Sequence, residues 1–270
     1  MIELMERYKV HNLDYLTPEA FEKIIRDMID QEDWEIEGYA SPAGQRMPSM
    51  KFYWGHNHDF GTFKLEGRMK NRHIEILKWY ADHGMPTDLR NKRVLDIGCW
   101  TGGMSLLLYA MGEPHIDVLE EVVKYASAIN FMAVAFKLKG MNVWPESLYD
   151  FETKNKYDLI NFSGVLYHIT DIPVALAIIA KHLKIGGMLC LESGCMPGEL
   201  KVLHYAGPSK NQDFNWNWFF PTVSCLTQML LDVGIIIDDL EVGPLGHRVK
   251  LIATKVDDKP MMQCGVSIRT

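Results

Sequence analysis

The sequence predicts an α/β fold: a mostly parallel sheet wound with helices and preceded by a helical, aromatic N-terminal region. Three observations carry this. From residue 91 onward short apolar runs alternate with helical patterns, which implies parallel strands joined by right-handed crossovers. The first run, Val94–Ile97, turns through glycines at 98, 102 and 103 and enters the helical pattern Met104-Ser105-Leu106-Leu107-Leu108. Residues 34–64 follow no period, yet they crowd Trp34, Tyr39, Phe52, Tyr53, Trp54, Phe60 and Phe63 among Gly, Pro and His.

In chain order, Thr17-Pro18 opens an amphipathic helix: Thr caps, Pro takes the first helical position, and Phe21, Ile24, Ile25 and Met28 form one apolar stripe. The aromatic segment reads either as a lid over a pocket or as a loop tucked against the domain. A second helix spans about 66–83 and stops at Gly84, with Pro86 beyond. After the first strand a helix runs through Met111. Then come a strand at Ile116–Leu119, a helix over about 122–138 and a short strand near Asn142–Trp144. A strand at Leu159–Phe162, a helix over 173–183, a turn at 184–187 and a strand at Met188–Glu192 follow. The tail gives a helix over 222–232 and strands at Ile235–Leu240 and Val249–Thr254. The organisation expected is an N-terminal helical and aromatic region, 1–89, before a ligand-binding α/β domain, 90–270.

Composition limits the function classes. No apolar run approaches the roughly 18–20 residues of a membrane span, and the charged, polar N-terminus predicts no signal peptide. The cysteines at 99, 190, 195, 225 and 264 lack C-x-x-C spacing. They read as reduced thiols of a cytoplasmic protein, with no metal site implied. Net charge is −7, and no long Lys/Arg cluster appears. Because phosphate neutralisation supplies much of nucleic-acid affinity, the expected partner is a small molecule rather than nucleic acid. A homo-oligomer is compatible with the sequence.

The glycine turn suits a nucleoside ligand. Glycine lets the backbone approach, and the helix start offers unpaired N–H groups and a positive dipole end. The dinucleotide fingerprint G-x-G-x-x-G is absent. Glu120, ending the second strand, can accept two hydrogen bonds from a ribose diol; Glu121 and Asp117 are register alternatives. NAD enzymes use an acid in a similar place, so Glu120 alone does not choose the cofactor.

The run Asp96-Ile97-Gly98-Cys99-Trp100-Thr101-Gly102 resembles the first motif of class I S-adenosylmethionine (SAM)-dependent methyltransferases, with Trp100 in place of the middle glycine. A subset of that superfamily carries Trp there. The resemblance implies a Rossmann-like seven-stranded sheet with an antiparallel last strand and an N-terminal helical lid, with SAM as cofactor. It also implies cofactor roles for Asp96, Gly98, Cys99, Trp100, Gly102, Glu120, Ser147, Leu148, Ser163 and Gly164. The run Phe162-Ser163-Gly164-Val165-Leu166-Tyr167-His168 resembles the superfamily's G-V-L-Y-H sequence. Trp218-Phe219-Phe220-Pro221-Thr222, followed by Cys225-Leu226, Met229-Leu230 and Gly234, is similar to a segment of the tRNA wobble-uridine carboxymethyl/methyl transferases. Members of that group that transfer carboxymethyl usually continue Y-H with Arg, a cation for the carboxylated cofactor. Ile169 stands here instead, which favours plain SAM, although Arg68 and Lys70 could supply a charge.

Methyl transfer needs water excluded and a nucleophile aligned. A general base helps where the acceptor must lose a proton. His168 is the first candidate base, Tyr167 a contact to the methionine moiety, and Glu192 an orienting group for an acceptor amine or hydroxyl. Trp54, His56, His58, Arg68, Trp216 and Trp218 are candidate substrate contacts. His56, His58 and Asp59 form an H-x-H-D run that reads as polar lid rather than metal site, since no further ligand stands at a matching spacing. The expected function is a SAM-dependent methyltransferase acting on O or N of a small-molecule acceptor. A tRNA wobble-uridine modifying transferase is one alternative. A catalytically silent SAM-fold scaffold subunit, with Trp100 filling the glycine loop, is the other.

Overall fold

Thr17 caps helix α1 (Pro18–Asp27) as expected: its hydroxyl accepts from Ala20 N at 3.2 Å, and Phe21 and Ile25 are buried. In this computed structural model residues 2–29, 51–207 and 217–258 are described, with the backbone of 262–263 and 266–267. They form two compact units, residues 1–81 with 86–147, and residues 82–85 with 148–270.

In the first unit a small hairpin, β1 (His58–Asp59) with β2 (Lys64–Leu65), precedes helix α2 (Arg72–Asp82). That helix starts later than the expected residue 66, because the chain turns through Lys70 in a left-handed conformation, φ 48°. Parallel strands β3 (Arg93–Ile97), β4 (His115–Leu119) and β5 (Met141–Trp144) alternate with helices α3 (Gly103–Ala110) and α4 (Val123–Ala135). The described part of the aromatic segment, 51–64, is tucked against this unit, while Trp34 and Tyr39 lie outside the described residues. Phe21 packs on Phe60, Phe131 and Phe136 with ring centroids 5.1–5.3 Å apart, while Phe52 meets Tyr125 edge-on at 5.1 Å. Tyr8 donates to Leu106 O at 2.6 Å. Burying several rings of about 150–250 Å² each is a large hydrophobic contribution, so this region belongs to the unit's core.

The second unit holds β6 (Tyr157–Ser163), α5 (Ile172–His182), β7 (Leu183–Gly194), the short pair β8 (Leu203–Tyr205) and β9 (Phe219–Pro221), α6 (Val223–Asp232), β10 (Ile235–Val242) and β11 (Arg248–Lys255). The turn expected at 184–187 is instead part of β7. Tyr157 pairs with Leu183 and Leu159 with Met188, so the intervening residues bulge out, with Gly186 at φ 77°. A bulge absorbs extra residues without ending the strand. The seven-stranded sheet runs β10-β11-β7-β6-β3-β4-β5, and β11 is antiparallel to both neighbours. This is the sheet the resemblance implied, antiparallel last strand included. Among the described residues no helix is long and apolar enough to cross a membrane.

Candidate active site

The glycine turn after β3 is held from several sides. Asp96 is fully buried, and its Oδ2 accepts a 2.5 Å hydrogen bond from Ser105 Oγ, tying the strand end to α3. The chain then passes three left-handed positions: Gly98 at φ 69°, Trp100 at φ 50° and Gly102 at φ 77°. A bulky residue at positive φ is strained and persists only where its surroundings over-determine it. Here they do. A Cβ on Gly55 would lie 2.5 Å from Trp100 Cδ2, and the His56 ring meets the indole edge-on at 5.6 Å between centroids.

Glu120 stands at the end of β4, 7% exposed, with both carboxylate oxygens on backbone donors. Oε2 accepts from Trp100 N at 2.8 Å and Oε1 from Val122 N at 2.9 Å. Burial pushes its carboxyl up to about 7; the two N–H groups pull it down, and Glu121 and Asp96 add to the rise. A carboxylate has about four lone-pair sites; the two N–H groups take two of them, and the Cys99 thiol donates to Oε2 at 3.9 Å. Of the register alternatives, Asp117 accepts from Asn142 Nδ2 and Trp144 Nε1, each at 3.0 Å, and Glu121 is exposed. Burial, with Glu120 and Asp96 adding, drives the Cys99 thiol well above its ordinary pKa, so it remains protonated. Ser147 is partly exposed and Leu148 buried just after β5.

Three histidines crowd the same side of the first unit. Trp54, fully buried, donates its indole N–H to His58 Nδ1 at 2.9 Å. The His56 and His73 rings lie 4.6 Å apart, and His58 and His73 lie 6.4 Å apart. Burial pushes His56 to about 3, with His58 adding. Burial takes His58 to about 4, the His56 carbonyl opposing. His73 falls to about 2 through burial first, then His56 and His58. All three are neutral. His56 N donates to Thr101 Oγ1 at 3.2 Å, which ties the segment to the glycine turn. Asp59 pairs instead with Lys9 and Lys64, each at 3.0 Å. Among the described residues no group of three or more His, Cys, Asp or Glu is arranged to hold a metal. Arg68 is exposed, its backbone N donating to Trp54 O at 2.9 Å.

In the second unit Ser163 Oγ donates to Asn161 Oδ1 at 2.7 Å, and Gly164, φ 77°, donates its N–H to Glu192 O at 2.8 Å. Leu166–His168 form one 3-10 turn that brings the Tyr167 and His168 rings to 4.3 Å, with His168 exposed. Trp218 N donates to Tyr167 O at 2.7 Å. Trp216 lies outside the described residues. Both oxygens of Glu192, 1% exposed, are taken by Arg248, from Nε at 2.7 Å and an Nη at 2.6 Å. The guanidinium also lies over the Tyr167 ring, 4.9 Å from its centroid. Sequence reasoning missed Arg248, which no local motif marks. It also missed Ser105, which meets Asp96 across the turn, and His73 and Gly55, whose contacts come from residues farther along the chain.

A family model described as a methyltransferase domain matches residues 88–248. Among curated proteins, the tRNA U34 carboxymethyltransferase of Alteromonas mediterranea is 24% identical over 176 residues, 63% of this chain and 52% of that protein. The protein of the same name from Pseudomonas paraeruginosa is 29% identical over 150 residues, 54% of this chain and 46% of its own. The chain thus spans about half the length of the curated relatives it matches. Among solved structures, the N-terminal domain of EvdMO1 in the presence of S-adenosylhomocysteine (SAH) and D-fucose superposes with a TM-score of 0.59 at 13% identity, covering 76% of this chain and 91% of that one. The 1,6-didemethyltoxoflavin-N1-methyltransferase of Burkholderia thailandensis, with its namesake ligand and SAH bound, gives 0.53 at 17% identity, covering 68% and 77%. At these identities the structural likenesses show the fold alone.

Proposed function

The chain belongs to the methyltransferase-domain family, and from that premise we propose that it is a SAM-dependent methyltransferase acting on O or N of a small-molecule acceptor. The observation that carries the cofactor reading is Glu120: a buried carboxylate at a strand end, fixed by Trp100 N and Val122 N beside a glycine turn. A fixed carboxylate acceptor at that place suits a ribose hydroxyl. The turn is left-handed at 98, 100 and 102, and the start of α3 adds a positive dipole end. Bound SAM supplies a methyl carbon already activated by sulfonium. The protein therefore orients and dries the acceptor rather than activating the donor. His168, the exposed imidazole beside Tyr167, is the proposed proton acceptor where the nucleophile is a hydroxyl or ammonium. Within the second unit Arg248 holds Glu192 and lies over the Tyr167 ring.

The acceptor class has a second reading. The names of the curated relatives favour tRNA modification at the wobble uridine, and they lend no support to the expectation against nucleic acid. The small-molecule reading rests on the net charge of −7 and on Ile169 after Tyr167-His168. Transfer of tritium from methyl-labelled SAM to total tRNA, against transfer to a small-molecule extract, decides between them. Label in the extract and none in tRNA is expected. Label in tRNA, or tRNA binding that survives physiological salt, overturns the small-molecule reading.

A further inference from the structure

Segment 54–58 crosses the glycine turn as a strap. A Cβ on Gly55 would lie 2.5 Å from Trp100 Cδ2 and 2.8 Å from Thr101 Oγ1, and one on Gly103 would lie 2.9 Å from His56 Nδ1. His73, on α2, packs on both strap histidines, its ring 4.6 Å from that of His56 and 6.4 Å from that of His58. The three imidazoles have one another for company and no acid. Burial acts first on each; the rest comes from the other rings and from the carbonyls of His56 and Lys70, and no carboxylate contributes. On the elements around them, Asp59 is held by Lys9 and Lys64, while Arg68, Lys70 and Glu75 are exposed and Arg72 half-buried. Lys124 of α4 lies over the Phe52 and Tyr125 rings, and Glu120 is turned to Trp100 N and Val122 N. A proton on His56 would stand against the first residue of α3, at the positive end of its dipole. His56 Nδ1 and His58 Nε2 are buried without a hydrogen-bond partner, so a proton gained there meets no acceptor.

We propose that the strap is a proton-operated latch on the cofactor turn: proton uptake by His56, His58 and His73 frees segment 54–58 from Trp100, Thr101 and Gly103 and loosens the SAM site. What the turn holds rests on the SAM reading above; the opening itself does not. Closed, the strap excludes protons. Open, each imidazole takes one near its ordinary value of about 6.5. Below that pH each histidine makes opening easier by up to about tenfold per pH unit, and the three together by up to about a thousandfold. Opening a short strap breaks far fewer contacts than unfolding the sheet, so it precedes global unfolding.

Amide hydrogen exchange at pH 7.5 and 5.5, each rate divided by its intrinsic value, tests this residue by residue. The reporters are His56 N–H, bonded to Thr101 Oγ1, and Asn57 N–H, bonded to Lys70 O; Ile116 N–H of β4, bonded to Gly140 O, is the reference for global unfolding. Both reporters are expected to lose about 1000-fold in protection between the two pH values, and about 100-fold in His73→Phe, which keeps a ring and removes one proton site. At both pH values they are expected to stay at least about tenfold less protected than Ile116. SAH at about ten times its dissociation constant is expected to return about tenfold protection to them at pH 5.5. Reporter protection that does not change with pH, or that equals that of Ile116, overturns the latch. SAH that binds by calorimetry without protecting the reporters also overturns it and leaves the SAM reading standing. Failure of SAH to bind the wild type at pH 7.5 brings down the SAM reading, and the latch's hold on a cofactor with it. A thermal midpoint checks the fold of His73→Phe, and the wild-type comparison carries the test by itself if that variant does not fold.

Discussion

Two residues at the glycine turn carry most of the chemistry, and each gives a prediction. Glu120 has its carboxyl raised to about 7 by burial. Hydroxyl donors favour the ionised form, so binding a ribose there releases a proton, and affinity rises as pH rises through about 7. SAH titrated from pH 6 to pH 8 is expected to bind progressively tighter to the wild type. Glu120→Gln is expected to bind about 10- to 100-fold more weakly, with that pH dependence gone. A wild-type affinity flat across this range would remove Glu120 from the ribose. Trp100 poses an opposed pair of effects. Glycine at this left-handed position relieves roughly 1–2 kcal/mol of backbone strain, but deleting the ring opens space against Gly55 and His56, where large-to-small changes run about 3–5 kcal/mol. Trp100→Gly is therefore expected to lower the thermal midpoint and not to strengthen SAH binding. A gain in affinity would mark the indole as a plug and favour the silent-scaffold reading.

At the scale of elements, the segment 54–58 is locked to residues 67–70 by backbone hydrogen bonds, Arg68 N to Trp54 O at 2.9 Å, Met69 N to Gly55 O at 2.8 Å and Asn57 N to Lys70 O at 3.0 Å. Gly67 lies at the crossing: a Cβ there would fall 2.3 Å from His56 N and 2.5 Å from Gly55 C. Those are backbone atoms, which no rotamer change relieves. Gly67→Ala is expected to lower the unfolding free energy, read from urea denaturation, by more than the roughly 1–3 kcal/mol of ordinary overpacking. Gly186→Ala is the control, since it meets nothing within 4 Å and bears only the strain of φ 77°. Equal losses in the two would show that the crossing yields. The contrast also explains what could be read from sequence. Thr17, the 98–103 turn and the alternation from residue 91 announce themselves through local patterns, and the structure places a cap, a tight turn and a sheet there. The crossing at Gly67 and the Glu192–Arg248 pair join chain segments whose meeting leaves no periodic trace. The bulge at 184–187 imitates a turn in sequence because its glycines serve either purpose; only the pairing with β6 distinguishes the two.

Over the whole molecule, the buried titratable groups predict acid lability. His56, His58 and His73 stand at about 3, 4 and 2 in the folded chain against an ordinary 6.5, and His182 is lowered as well, again mainly by burial. A histidine held neutral in the native state contributes stability that is complete above 6.5 and is lost as pH falls toward its folded value, because the unfolded chain takes up the proton first. Glu120 acts in the opposite sense. Raised from 4.5 to about 7, it favours the folded state at low pH and loses that contribution as pH rises through 7. Between about pH 6.5 and 4.5 the three cluster histidines outweigh the one carboxyl, so the unfolded state binds about two more protons than the native state. Stability should then fall on the order of 2 kcal/mol per pH unit on acidification. Urea midpoints at pH 7.5, 6.5 and 5.5 measure this directly. His73→Phe removes one proton from the difference and, if the variant folds at pH 7.5, is expected to make the fall shallower. A midpoint that does not move between pH 7.5 and 5.5 would mean that the histidines are solvated in solution rather than held neutral by burial.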